Sequence, residues 1–283
     1  MKKSWVFCGE KSCKIGIKLA TFLTSLLMSL TSGGEILAQS ILPAIDGTDT
    51  IVTPEGNRFN ITGGRLSSDQ RNLFHSFQLF NLSTGETANF IVTPSVNNIL
   101  TRVVGGASLI DGLLQVTGGN ANLFLMNPAG IVFGRNARLD LSGSFIATTA
   151  DAIGFDSESF FESVGNNDYA ALVGNPNTFV FENLEPEGII NAGNLAVSTG
   201  QNIILLAGTV ISTGELSAPG GQVIISAVPG DGIVRITQNG NLLSLEISRD
   251  ALSRRQSQVP DGEMPPPDGE MPPPDGEMPP PDG

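Results

Sequence analysis

The chain predicts an all-β fold, a parallel β-helix in which short strands wind into stacked coils, and three observations carry that prediction. Apolar residues alternate with period two over short runs: Leu123 with Leu125, Ile131 with Phe133, and Leu139 with Leu141, the pairs starting eight residues apart. Such alternation marks half-buried strands, and the spacing leaves room for a short strand and a tight turn each time. A longer repeat follows. "GNLAVSTGQNIILLA" from Gly193 aligns with "GELSAPGGQVIISA" from Gly214 at a shift of 21 residues, inside the ~20–50-residue range of stacked repeats. The alignment sets Leu195 on Leu216, Gly200 on Gly221, Gln201 on Gln222, Ile203 on Ile224 and Ile204 on Ile225, with "ARLDLSGSFIATTA" from Ala137 as a looser third copy. Third, 34 of the 283 residues are Gly and only 15% are charged, a composition of many turns and few long helices.

The elements take their places in order. Residues 1–38 read as a signal peptide: Lys2, Lys3, Lys11, Lys14 and Lys18 precede the apolar stretch Leu19–Leu30, and "ILAQS" offers Ala38 at the cleavage point. That stretch of 12 residues fits a secretory core of ~7–15 residues and falls short of the ~20 needed to span a bilayer. Ile41 to Ile61, with short β-like pieces and polar breaks, is expected to cap the first coil, because an open strand edge invites aggregation. The globular domain is expected over 39–237. Within it 156–175, "DSESFFESVGNNDYAALVGN", is an extra-helical excursion with one helical turn. Residues 238–252 form a C-terminal extension. In 253–283 "DGEMPPP" occurs three times from Asp261, and Pro at that density prevents ladder pairing, so a disordered, extended acidic stalk is expected.

Charge and residue counts narrow the function. Every Lys and both cysteines, Cys8 and Cys13, lie in the leader. Without it, ten Arg face 26 Asp and Glu, a net charge of −16. Nucleic-acid binding is disfavoured, since it needs basic patches to neutralise phosphates. A secreted chain without cysteine relies on packing and hydrogen bonds instead of disulfides. The single histidine, His75, has no Cys, Lys or second His to work with, and no G-x-S-x-G motif supports a serine site, so it reads as structural. Metal sites of the His/Cys type are excluded by count. Asp140, Asp151 and Asp156 fall on separate turns, and the Asp-Gly pairs at 46, 111 and 231 read as turns. No catalytic, cofactor or metal site is expected.

Three motifs in sequence, "NLFHSFQLFNL" (72–82), "GNANLFLMNPAGIVFG" (119–134) and "GSFIATTADAIGF" (143–155), resemble the filamentous haemagglutinin N-terminal domain, the secretion domain of two-partner-secretion (TPS) passengers. The resemblance runs from about Ile41 to Thr237. It implies a right-handed parallel β-helix, a single-stranded pectin-lyase-like solenoid with an N-terminal cap and extra-helical β elements. It implies export by the general secretory route to the periplasm, then through a cognate TpsB outer-membrane transporter of the Omp85 type with periplasmic POTRA domains. A secreted or surface location, an adhesive role and surface or host-cell ligands follow from the same resemblance. It points to Asn72, Phe74, Phe77, Asn81, Asn127, Pro128, Ala129 and Gly130 as residues of fold and transporter recognition. The family's turn is Asn-Pro-Asn-Gly, and Ala129 departs from it. Passengers of the family continue into a long repetitive β-helix or a functional C-terminal domain. Here an acidic Pro-rich tail follows, as expected of a minimal secreted domain, a truncated product or a module paired with another chain. Two rivals stand beside this reading: a β-helical polysaccharide-active enzyme, which needs a carboxylate cluster on one face, and a structural envelope protein that never crosses the outer membrane.

Overall fold

The computed structural model describes residues 40–156, 158–228, 230–239 and 242–248. The expected leader (1–38) and Pro-rich stalk (253–283) lie outside the described residues. The described chain is all-β apart from one short 3-10 turn, Tyr169–Ala171. Three sheets run along a solenoid and a fourth packs outside it.

Each coil contributes one strand to each of two or three faces. The longest face carries Asn72–Phe80, Asn98–Val103, Asn122–Met126, Phe145–Thr148, Ile203–Ala207 and Val223–Ala227, all parallel and in register. A second face stacks Arg58–Gly63, Thr87–Ile91, Leu113–Thr117, Arg138–Asp140, Asn194–Ala196 and Glu215–Ser217. The third stacks Ser108–Ile110, Ile131–Phe133, Gly188–Asn191 and Thr209–Ser212. The alternation read from the sequence places side chains correctly: Leu123 with Leu125, Ile131 with Phe133, and Leu141 sit in the interior cluster, with Leu139 packed against it. Burying each such side chain stabilises by about 1.5–3 kcal/mol, and Phe77, Phe80 and Phe90 pack together near the N-terminal end, with Phe77 and Phe80 4.9 Å apart between ring centroids.

The cap is built as expected between Ile41 and Ile61. Ile41–Pro43 lies antiparallel on Asn72–Phe80, and Thr50–Glu55 forms an antiparallel hairpin with Arg58–Gly63. The parallel stack starts with Arg58–Gly63 on the second face and Asn72–Phe80 on the longest.

The repeat register needs a correction. Leu195 does pair with Leu216, at a shift of 21, but Ile203 pairs with Val223 and Ile204 with Ile224, a shift of 20. The turns confirm where the residue is lost: the Gln201 N–H closes on the Ser198 carbonyl, and the Gly221 N–H closes on the Ala218 carbonyl. Gly200 therefore matches Gly220, both at positive φ, not Gly221. The cause is the period of two. A slip of one residue would turn interior Ile203 to the outer face, so the core decides the register and the shared Gln does not.

The excursion is larger than 156–175 and has a packing role. Ala152–Phe155, Phe160–Glu162, Pro176–Phe181, Gly232–Asn239 and Leu242–Ser248 form an antiparallel sheet. It covers the outer side of the longest face, where Phe74, Leu100, Phe124, Met126, Ile146, Ile204 and Leu206 meet Phe155, Phe161, Phe179 and Phe181 in a second core. Asn98–Val103 is consequently buried at every residue, as strands covered on both sides are. The outer sheet runs on through residue 237, the edge expected for the globular domain.

Candidate functional site

The turn Asn127–Gly130 joins the longest face to the third face. Its backbone closes with the Gly130 N–H donating to the Asn127 carbonyl at 3.0 Å. The Asn127 side chain, fully buried, does three further things. Its Oδ1 accepts the Ala129 N–H at 2.9 Å. Its Nδ2 donates to the Gly106 carbonyl at 3.1 Å and to Ser108 Oγ at 3.0 Å, on the preceding coil. Asn is suited to this because one amide offers both donor and acceptor. Pro128 fits the second turn position. Gly130 has φ 104°, a conformation that side-chain-bearing residues resist. The third position bonds through its backbone alone, so Ala129 completes the turn without the family's second Asn side chain.

Asn81 reaches the same strand from the other side: its Oδ1 accepts the Leu109 N–H at 2.8 Å. Asn81 and Asn127 thus brace Ser108–Ile110 from the coils before and after it. The Thr84 hydroxyl and then Asn136 hold the Asp111 carboxyl below the usual carboxylate range at this corner, and this is the turn role expected of the Asp111-Gly112 pair.

Asn72 lies elsewhere, at the opposite edge of the longest face. It starts an amide ladder: Asn98 Nδ2 donates to Asn72 Oδ1 at 2.8 Å, and Asn122 Nδ2 donates to Asn98 Oδ1 at 2.9 Å. Asn72 Nδ2 donates to the carbonyls of Leu172 and Gly174, both at 3.0 Å, and so fastens the excursion to the first coil. Phe74 and Phe77 project to opposite sides of their strand, Phe74 into the outer core and Phe77 into the inner. The eight residues singled out in the sequence therefore form two separate braces and two core anchors, not one surface.

Sequence reasoning missed a third brace. Arg102 is buried on the outer side of the longest face, with its side chain 1% exposed. Its Nε donates to Ser76 Oγ at 3.0 Å, its Nη1 to the carbonyls of Glu162 (2.9 Å) and Gly165 (3.0 Å), and its Nη2 to Asp46 Oδ2 at 2.8 Å. The guanidinium also sits 5.8 Å from the Phe161 ring centroid. Burial pushes the Asp46 carboxyl up, but hydrogen bonds from Ser76, Thr48 and Arg102 outweigh it and hold the group at about 2. Thr48 in turn meets the Tyr169 hydroxyl at 2.8 Å. One cation thus joins cap, second coil and excursion. The signal in the sequence was a lone Arg inside the apolar run "NILTRVV".

His75 points into the interior beside Phe77 and Phe90. Its Nδ1 lies 3.3 Å from Thr50 Oγ1, and Nε2 has no hydrogen-bond partner among the described residues. Burial pushes its pKa down to about 3, so the ring is neutral. Below the ordinary value near 6.5 the unfolded chain takes up a proton that the folded chain refuses. Stability is therefore complete above pH 6.5 and falls as pH drops from there toward 3, by about 1.4 kcal/mol per pH unit. Urea unfolding at pH 6.5 and 4.5 should differ by roughly 2–3 kcal/mol, and His75→Met should remove most of that difference; an equal slope in both proteins refutes it.

The three aspartates singled out in the sequence each have a hydrogen-bond partner: Asp151 accepts the Glu182 N–H, Asp156 accepts the Asn175 N–H, and Asp140 accepts from Gln115 on the neighbouring strand. No group of metal-ligating side chains occurs among the described residues.

Comparison with known proteins agrees with the architecture. No curated protein matches the chain. Among solved structures, the HMW1 secretion domain from Haemophilus influenzae is 24% identical, with a TM-score of 0.52 over 73% of this chain and 48% of that one. This chain thus spans about half the length of that relative. A filamentous hemagglutinin secretion domain aligns at 15% identity and a TM-score of 0.40, over 68% of this chain and 75% of that one. The family profile described as "TPS secretion domain" matches residues 38–259, from the cap through the outer sheet, and by that match the chain belongs to the TPS secretion-domain family of two-partner-secretion passengers.

Proposed function

We propose that the chain is a secreted passenger whose solenoid directs its own export through a cognate TpsB transporter of the Omp85 type, engaged in the periplasm by POTRA domains, and that it then serves on the cell surface or outside it in adhesion. The family match over residues 38–259 carries this reading. A leader removed at the inner membrane and a cysteine-free mature chain suit passage through a pore unfolded. The reading is non-enzymatic: the three aspartates singled out in the sequence each have a hydrogen-bond partner within the fold.

The burial of Asn72 and Asn127 gives recognition a direction. Both are fully enclosed once the coils stack. A transporter that reads them reads the chain before it folds, by adding an extended segment to a sheet edge. Outside, each finished coil templates the next.

The test is export in a two-plasmid host, with and without the candidate transporter, blotting medium and periplasm. Transporter-dependent appearance in the medium is expected; retention in the periplasm with the transporter present overturns the reading. Asn127→Ala loses the bonds to Gly106, Ser108 and Ala129 and should cost about 1–3 kcal/mol. Asn191→Ala, fully buried on a later coil, loses a comparable set of bonds to Gly193 and Ser212 and lies outside the three motifs, so it serves as the control. Export lost in Asn127→Ala but kept in Asn191→Ala at equal stability marks recognition; equal loss in both marks the turn as purely structural.

A further inference from the structure

A groove of about 660 Å³ runs between the longest face and the outer sheet, a size that suits an organic ligand. One rim is a row of polar side chains at the starts of four successive strands: Asn98, Asn122, Ser144 and Asn202. Parallel pairing spaces the row by ~4.8 Å per coil, so it extends for roughly 14 Å. Phe124, Ile146 and Ile204, two residues further along the same strands, make an apolar floor. The facing wall belongs to the outer sheet and carries Asp156, Asn177 and Phe179.

The row is held in place by its own hydrogen bonds. Asn122 Nδ2 donates to Asn98 Oδ1, and Asn122 Oδ1 accepts the Ser144 N–H at 2.9 Å. Ser144 Oγ accepts the Asn202 N–H at 3.0 Å, and Asn202 Oδ1 accepts the Gln222 N–H at 2.8 Å. Across the groove, Asn177 Nδ2 donates to Asp156 Oδ1 at 2.7 Å. A side-chain amide nitrogen has two N–H groups. These bonds therefore fix the amides and still leave N–H groups that a ligand can use.

We infer that this groove is a binding site for a neutral, linear oligosaccharide. A sugar ring offers hydroxyls at its edge and C–H groups on its face, and the groove sets amides beside an apolar floor. Repetition of the row from coil to coil suits a linear chain of such rings. Other ligand classes fit less well. No Arg lines the groove and Asp156 is its one charge among the described residues, so an anionic ligand meets no cation. A wholly apolar ligand would strip water from the amides without replacing its hydrogen bonds. A peptide strand needs a free sheet edge, whereas Pro176–Phe181 is paired on both sides, by Ala152–Phe155 and Gly232–Asn239. Glycoside hydrolysis uses two carboxylates and the groove has one, so the sugar is held and not cut.

The inference gives the adhesive reading a ligand class and rests on that reading for its biological use. Binding by purified protein needs no transporter, so a failure here and a failure of export are separate results. The full chain, recovered as processed by its host, is titrated by calorimetry with cello-, malto-, manno- and xylotetraose, and with tetragalacturonate as the acidic member. At least one neutral tetrasaccharide should bind saturably at millimolar concentration or below, and tetragalacturonate should not. Asn202→Asp keeps the Oδ1 that meets Gln222 but removes the amide donors, and it should weaken binding about three- to tenfold. In amide NMR spectra of the unsubstituted chain, the bound sugar should shift the side-chain signals of Asn122, Asn177 and Asn202. The signal of Asn57, exposed on the cap hairpin, should stay in place. Absence of binding by every neutral member overturns the proposal, as do preference for tetragalacturonate, binding that Asn202→Asp leaves intact, and NMR shifts centred away from the groove.

Discussion

Arg102→Met should lower the unfolding free energy by about 3–5 kcal/mol, the cost of leaving one partner of a buried ion pair uncompensated. The magnitude follows from what remains behind. Asp46 keeps its hydrogen bonds to Thr48 but loses its cation. The Gly165 carbonyl loses its guanidinium donor and the Glu162 carbonyl keeps that of Asn167, and each hydrogen bond to a charged group contributes about 1.5–3 kcal/mol. Methionine fills most of the volume, so packing against Phe161 is largely kept and the loss reports the polar network. Asp46→Asn should cost less, because Ser76, Glu162 and Gly165 still hold the guanidinium. Urea unfolding of the three proteins at neutral pH decides this; a loss below about 1 kcal/mol for Arg102→Met would put the interaction among ordinary surface pairs. The consequence reaches beyond stability. The network spans Asp46 to Gly165, so cap, early coils and excursion are fixed together although they are made far apart in the chain.

That long reach also explains what the sequence did and did not disclose. The strands of the inner core were legible because each alternation is local: Leu123, Leu125, Ile131 and Phe133 declare their side within a few residues. The Asn127–Gly130 turn was legible because Asn, Pro and Gly each carry a conformational preference of their own. The last coil's register was not, because Ile203, Val223 and Ile224 are interchangeable β-branched residues and identity matching favoured the Gln pair over the core. The family resemblance implied extra-helical β elements, but the extent of the outer sheet and the face it covers were not legible in the residues. Beside the excursion at 156–175, the sheet's trace was the near-continuous apolar character of "NILTRV" and "NLFLM", which marks strands covered on both faces without saying what covers them. Motif adjacency also misled. Asn72 and Asn127 share a family pattern, yet the fold sets them at opposite edges of one sheet, where the first anchors the excursion and the second holds a corner.

Ile203→Asp should slow release to the medium several-fold while leaving periplasmic capture by the transporter intact. Ile203 is fully buried in the inner core, between Phe145 on one coil and Val223 on the next. An aspartate there must either bury an unpaired carboxylate, at a cost of several kcal/mol, or leave the last coils unstacked. The segments that the family resemblance ties to recognition, 72–82 and 119–134, lie N-terminal to the change, so capture of the unfolded chain does not depend on it. If stacking of emerging coils is what discourages backsliding, the defect appears late, as a transporter-bound chain exposed at its N-terminal part. Pulse-chase export combined with protease added outside intact cells separates the two stages. Capture lost together with release would assign the site to recognition, and unchanged release kinetics would mean that coil folding does not drive export. An Ile203→Val control keeps the apolar, β-branched character at a cost of about 0.5–1.5 kcal/mol and should be released at nearly the unsubstituted rate, because what the position supplies is a dry interior for the next coil to stack on.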